Sequence, residues 1–178
     1  MTSYGAKELA ESSRTVRKNT IQIAEDIPED KYGFSAAPDT RTVAQLLAHI
    51  AFGNGFQRQI HAVERRTTLD GIDFPGMLQK LWAEEKKSRN KAEIIKVLHS
   101  TGEDWAAWLD SLSNEFLAER VQMPHGSTAT KSRLEMLLSV KEHEMHHRAQ
   151  LMLIERMIGI VPHLTREMQA RMAPAAKA

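Results

Sequence analysis

The sequence predicts an all-α fold, a four-helix bundle with long crossover connections, on three observations. Apolar residues recur at spacings of three and four through four long stretches. No run of β-branched and aromatic residues alternates with period two. Glycine and proline gather between the stretches, where helices must stop.

Taken in order, the first helix is expected over residues 4–25, with Leu9, Val16 and Ile23 on one side. The polar, Pro-containing segment 28–40 ends it. A second helix, 42–64, carries Leu46, His49, Gly53, Phe56, Ile60 and Val63 as one stripe facing a core. Asp70, Gly71, Asp73, Pro75 and Gly76 break the periodicity over 65–76, and a short helix is expected over 77–87. Asn90 and Glu93 have the spacing of a capping box and introduce a third long helix, 91–112, with Ile94, Leu98, Trp105, Leu109 and Leu112 on its core side. Pro124 and Gly126 mark 115–130 as a long connection. The fourth long helix runs over 131–158 and stops at Gly159 and Pro162. A short amphipathic helix is expected over 163–172, and a frayed end over 174–178. Connections this long exceed what an up-down bundle needs, and such segments often cover a site.

Composition narrows the function. The 178 residues suffice for one domain with its own core, so 1–178 is read as a single domain. Apolar residues at 42% and charged residues at 26% are the proportions of a soluble globular protein. Lys and Arg number 24 against 23 Asp and Glu, so no charge excess attracts nucleic acid or an anionic bilayer. The cluster Lys86, Lys87, Arg89 and Lys91 is interrupted by Glu84, Glu85 and Glu93, the pattern of a solvated helix face. The absence of cysteine removes disulfides, thiolate metal sites and a Cys nucleophile together. Residues 1–11 lack the apolar run of a signal peptide, and no stretch approaches the roughly 18 apolar residues of a membrane span. The expectation is a cytoplasmic protein with no membrane and no nucleic-acid partner.

The chemistry resides in histidine. Met136, Val140, His143, His147, Leu151, Ile154 and Ile158 follow one another at spacings of three or four, so all seven share one helix face. His143 and His147 stand one turn apart in the middle of that stripe, while His146 projects about 100° from His147. His49 stands in the middle of the second helix's stripe. If the stripes face each other, three imidazoles meet in the core, where burying them charged is unfavourable and each has two nitrogens to satisfy. A divalent cation bound by one neutral nitrogen of each ring is the simplest common partner, which makes His49, His143 and His147 the candidate metal ligands. His61, His99, His125, His146 and His163 read as surface or edge residues. Glu144 and Gln150 flank His147 by about 60° and are candidates to support the ligands or face a substrate.

The letters His143-Glu144-Met145-His146-His147 also match HExxH, the helix motif of zinc metallopeptidases, with the glutamate as general base. Such enzymes usually present substrate along a sheet edge, and the chain has no strand pattern to supply one.

Thr42-Val-Ala-Gln-Leu-Leu-Ala-His49-Ile-Ala, the later His143-Glu-Met-His-His147-Arg-Ala-Gln150-Leu, the closing Gly159-Ile-Val-Pro162 and the entry Tyr32-Gly-Phe-Ser-Ala-Ala-Pro38 together resemble the DinB family over roughly residues 9–162. The resemblance implies a DinB-like four-helix bundle with a long crossover, a three-histidine site at His49, His143 and His147 that holds zinc or nickel, and a homodimer. It further implies a metal-dependent enzyme acting on a small-molecule substrate, such as an S-transferase using a low-molecular-weight thiol, or a related hydrolase. Ala149 departs from the glycine common in the family's His-Arg-Gly-Gln pattern; alanine is the better helix former and leaves ligation untouched. Three neutral nitrogen ligands leave a cation its full charge and an open position, enough to activate water or a thiol. A metal-stabilised binding or interaction module without catalysis is the competing expectation.

Overall fold

Three of the helices that form the bundle begin where a side chain can satisfy their first free N–H groups. Thr42 Oγ1 accepts from Gln45 N while Gln45 Oε1 accepts from Thr42 N, closing the box that starts α2 (Val43–Phe52). Asn90 and Glu93 do the same for α5 (Lys91–Asp110), as do Ser132 and Glu135 for α7 (Arg133–Met157). The remaining helices are α1 (Ala6–Asp26), α3 (Gly55–Arg58), α4 (Phe74–Lys86), α6 (Asn114–Ala118) and α8 (His163–Met172). The computed structural model describes residues 4–173; the fraying expected over 174–178 lies outside them.

Mostly helical architecture agrees with the prediction. α1 packs on α5 and α7, and α2 is set among α4, α5 and α7. One apolar core joins the C-terminal half of α1 to α2, the start of α5 and the end of α7, through Ile23, Leu47, Leu98 and Leu151. A second, at the other end of the bundle, joins Leu9, Trp105, Leu109 and Leu137. Among the described residues, no helix is long and apolar enough to cross a membrane.

Several expectations are corrected. The second helix does not run unbroken over 42–64: α2 stops at Phe52, and α3 leads into a π turn, Gln59–Val63. That wider turn changes the facing of its last residues, so His61 is buried and Val63 exposed, the reverse of the expected stripe. α4 starts at Phe74 rather than 77, because Pro75 is tolerated in a first turn and Asp73 accepts from Gly76 N at 2.9 Å. The connection 115–130 is not irregular throughout: Ser113 caps α6, and β1 (Arg120–Gln122) pairs antiparallel with β2 (Thr130–Ser132). Val121, which carries the short hairpin, is fully buried against Ile60, Leu69 and Met136.

Two further histidines differ from the surface reading. His61 Nδ1 accepts from Arg133 Nη1 at 2.8 Å and Nε2 donates to Gln57 Oε1; burial and the neighbouring Arg133 push its pKa down to about 4. His163 is buried beside Asn19, because α8 folds back against α1. His99, His125 and His146 are exposed as expected.

The α1–α7 seam is polar in two places. Arg17 and Glu144 form a buried pair at 2.9 Å, with Glu144 also accepting from Thr20 at 2.8 Å. Gly102 on α5 makes room for it: a Cβ there would stand 2.6 Å from Arg17 Cγ. Farther along α7, Glu155 is fully buried and neither carboxylate oxygen has a protein partner among the described residues. Burial and the nearby Asp26 push its pKa up to about 7, against the opposing pull of Arg166 and Arg156.

Candidate metal centre

α2 and α7 bring His49, His143 and His147 together. His143 Nε2 lies 3.1 Å from His49 Nε2 and 3.1 Å from His147 Nε2, and one nitrogen from each ring falls within 4.8 Å of the others. His49 and His147 are buried, while His143 keeps an exposed edge. Gly53 adjoins the cluster: a Cβ there would stand 2.9 Å from the His49 carbonyl oxygen and at an ordinary contact distance, 3.5 Å, from His143 Cε1.

The outer nitrogens fix the tautomers. His49 Nδ1 donates to Glu85 Oε1 at 2.7 Å, since a carboxylate only accepts. His147 Nδ1 donates to Gln150 Oε1 at 2.8 Å, while the Gln150 amide nitrogen reaches His146 Nε2. Both inner Nε2 atoms therefore present lone pairs toward His143 Nε2, which has at most one proton to offer them. Two converging lone pairs repel unless an electron-pair acceptor stands between them. A divalent cation with bonds of about 2.0–2.1 Å spans nitrogen pairs separated by about 3 Å, so the donor set fits. Zinc, nickel, copper and iron all accept such ligands.

Electrostatics favours neutral rings. Burial lowers the pKa of all three histidines, that of His143 to about 4, with the neighbouring rings adding to the effect there. Burial pushes Glu85 up, but hydrogen bonds from Arg41 and His49 outweigh it and hold the carboxyl below its ordinary range. Arg41, just before α2, clamps Glu85 through Nε at 2.7 Å and Nη2 at 3.3 Å.

The family profile described as the DinB superfamily matches residues 13–151. The chain belongs to the DinB superfamily. Solved structures of the same fold include a DinB-like protein of Bacillus subtilis, YjoA, at 20% identity, covering 85% of this chain and 92% of that one with a TM-score of 0.61. YfiT, also from Bacillus subtilis, is described as a probable metal-dependent hydrolase with an unusual four-helix bundle topology; it is 17% identical over 90% of this chain and 91% of its own, TM-score 0.66. A Streptococcus pneumoniae protein is 20% identical over 88% and 93%, TM-score 0.66. No functionally curated protein matches the chain.

In this DinB chain a cavity of about 620 Å³ opens beside the cluster, with His147, Gln150, Glu85 and Arg41 in its wall. Gln150, a sequence candidate, thus both orients His147 and faces the cavity. Glu144, the other candidate, has both oxygens engaged by Arg17 and Thr20 on α1. The glutamate of the HExxH letters therefore serves the α1–α7 contact. Sequence reasoning missed Glu85 and Arg41 by assigning Glu85 to a solvated face; it is buried. Local spacing carried little signal, because Leu78 and Trp82, which share that face of α4 with Glu85, are themselves exposed.

Proposed function

We propose that this DinB protein holds a divalent metal ion, zinc or nickel, through Nε2 of His49, His143 and His147, and is a metal-dependent enzyme acting on a small molecule. The observation that carries the reading is the pair of Nε2 lone pairs, fixed by Glu85 and Gln150, that converge beside an open cavity. When bound, such an ion supplies Lewis acidity, polarising an electrophile or acidifying a nucleophile next to it. The chain's own part is to hold three neutral rings, orient two of them from behind, and line the space beside them. A hydrolase needs only water as second reactant. An S-transferase needs a low-molecular-weight thiol from solution, since the chain has no cysteine. The adjoining cavity favours an enzyme over a purely metal-stabilised module, whose ligands would be enclosed.

Metal analysis of protein purified without chelators tests the site. One equivalent of divalent ion is expected for the wild type and much less for His49→Ala and His147→Ala, with unchanged helical circular dichroism. A wild type that binds no zinc or nickel when dialysed against either overturns the reading. A screen of ester hydrolysis and of thiol conjugation to electrophiles then separates hydrolase from transferase.

A further inference from the structure

The cavity beside the histidines is lined by two unlike sets of side chains, and each describes half of a ligand. Leu46 and Ile154 bring the apolar core into the lining, and Trp82 and Leu153 line it as well although 47% and 58% exposed. Large apolar side chains left open around a concavity gain most from an apolar occupant.

The polar part of the lining offers donors. Lys87 and Arg89 pair with Glu84, whereas their neighbour Lys86 lines the cavity and has no carboxylate partner among the described residues. Arg41 uses Nε and Nη2 on Glu85, which leaves Nη1 to give. Gln45 uses its oxygen on Thr42 N, which leaves its amide N–H groups to give. Three sets of free donors, two of them cationic, suit an oxyanion. Asp39 and Glu85 line the same cavity and Glu85 already offsets Arg41, so the charge left over tolerates a single negative charge better than a dianion.

We propose that the cavity takes a monocarboxylate with an aryl-sized apolar body, its carboxylate held by Lys86, Arg41 and Gln45 and its hydrocarbon on Trp82, Leu46 and Leu153. This assignment deepens the proposed function and rests on it for the reactive end, which is the side where His147 enters the wall. The volume of about 620 Å³ suits a body of one ring and a short chain with room for a second reactant.

Trp82 is a built-in reporter, since Trp105 is buried in the second core and Trp108 packs beside it. Tryptophan fluorescence is titrated with 4-phenylbutyrate, 4-phenylbutyramide and 3-phenylpropyl phosphate, using metal-loaded protein, chelated protein and the Lys86→Gln and Trp82→Phe variants. The carboxylate is expected to saturate the signal, and the amide and phosphate to bind at least about ten-fold more weakly. Lys86→Gln should weaken the carboxylate by about ten-fold and leave the amide unchanged. Trp82→Phe should abolish the fluorescence change. Equal binding of acid and amide, or an unaffected Lys86→Gln, overturns the proposal, as does the absence of binding by any probe at millimolar concentration. Carboxylate binding that survives Lys86→Gln but vanishes on chelation assigns the anion to the metal instead and leaves the metal reading standing. Carboxylate binding that depends on Lys86 in a protein shown to hold no metal sinks the metal reading alone.

Discussion

Glu155→Gln should stabilise this protein at alkaline pH and leave it nearly unchanged at acid pH. The carboxyl is buried with no protein partner for either oxygen among the described residues, and its pKa rises from 4.5 to about 7 on folding. Between those values the folded chain keeps a proton that the unfolded chain has released. Stability therefore falls as pH rises through this window and levels off above it. At about 1.4 kcal/mol per pH unit the whole shift is worth about 3 kcal/mol, of which about 2 kcal/mol is lost between pH 5.5 and pH 8. In a chain of this length that corresponds to roughly 4–8 °C in Tm. Glutamine has the shape of the protonated acid and no charge to lose. Urea unfolding followed by far-ultraviolet circular dichroism, at pH 5.5 and pH 8 in chelator, isolates the effect, because the histidines titrate alike in both proteins. A stability gap that is the same at both pH values, or a variant weaker than wild type at pH 8, refutes the reasoning.

Glu85→Gln should weaken divalent-metal affinity by about 10–100-fold in competition with a chromogenic chelator, because His49 loses the charged acceptor that orients it. Glu144→Gln should destabilise by about 3–5 kcal/mol in urea unfolding, since Arg17 is left buried and unpaired, yet the folded fraction should keep its full metal content. Gly102→Ala should destabilise by about 1–3 kcal/mol, because its Cβ would press on the Arg17 side chain; a Tm equal to that of wild type contradicts this packing.

The parts legible in the sequence were those written in helical periodicity. The stripes through His49 and through His143 and His147 face one another because apolar neighbours such as Leu46, Leu151 and Ile154 bury the same faces. The Asn90–Glu93 box was legible because capping is local chemistry. The π turn after Arg58 was not, since one additional residue per turn is decided by packing around His61 and Arg133 rather than by propensity. The hairpin escaped because three-residue strands are too short to alternate, and Val121 alone carries its burial. Glu85 looked solvated beside Glu84 and Lys87; its partners, Arg41 and His49, lie 44 and 36 residues away. Glu144 looked available because its partner Arg17 lies 127 residues back along the chain.

The contact between Glu85 and His49 has a consequence for how the molecule breathes. Glu85 belongs to α4, the short helix in the crossover, so the helix that walls the cavity is hydrogen-bonded to one of the three converging rings. Whatever tightens His49 must tighten α4 by the same free energy, and whatever loosens α4 must loosen His49. Amide hydrogens of α4 should therefore exchange more slowly when the histidine set is filled, making the exchange rate of one surface helix a gauge of events in the centre of the bundle.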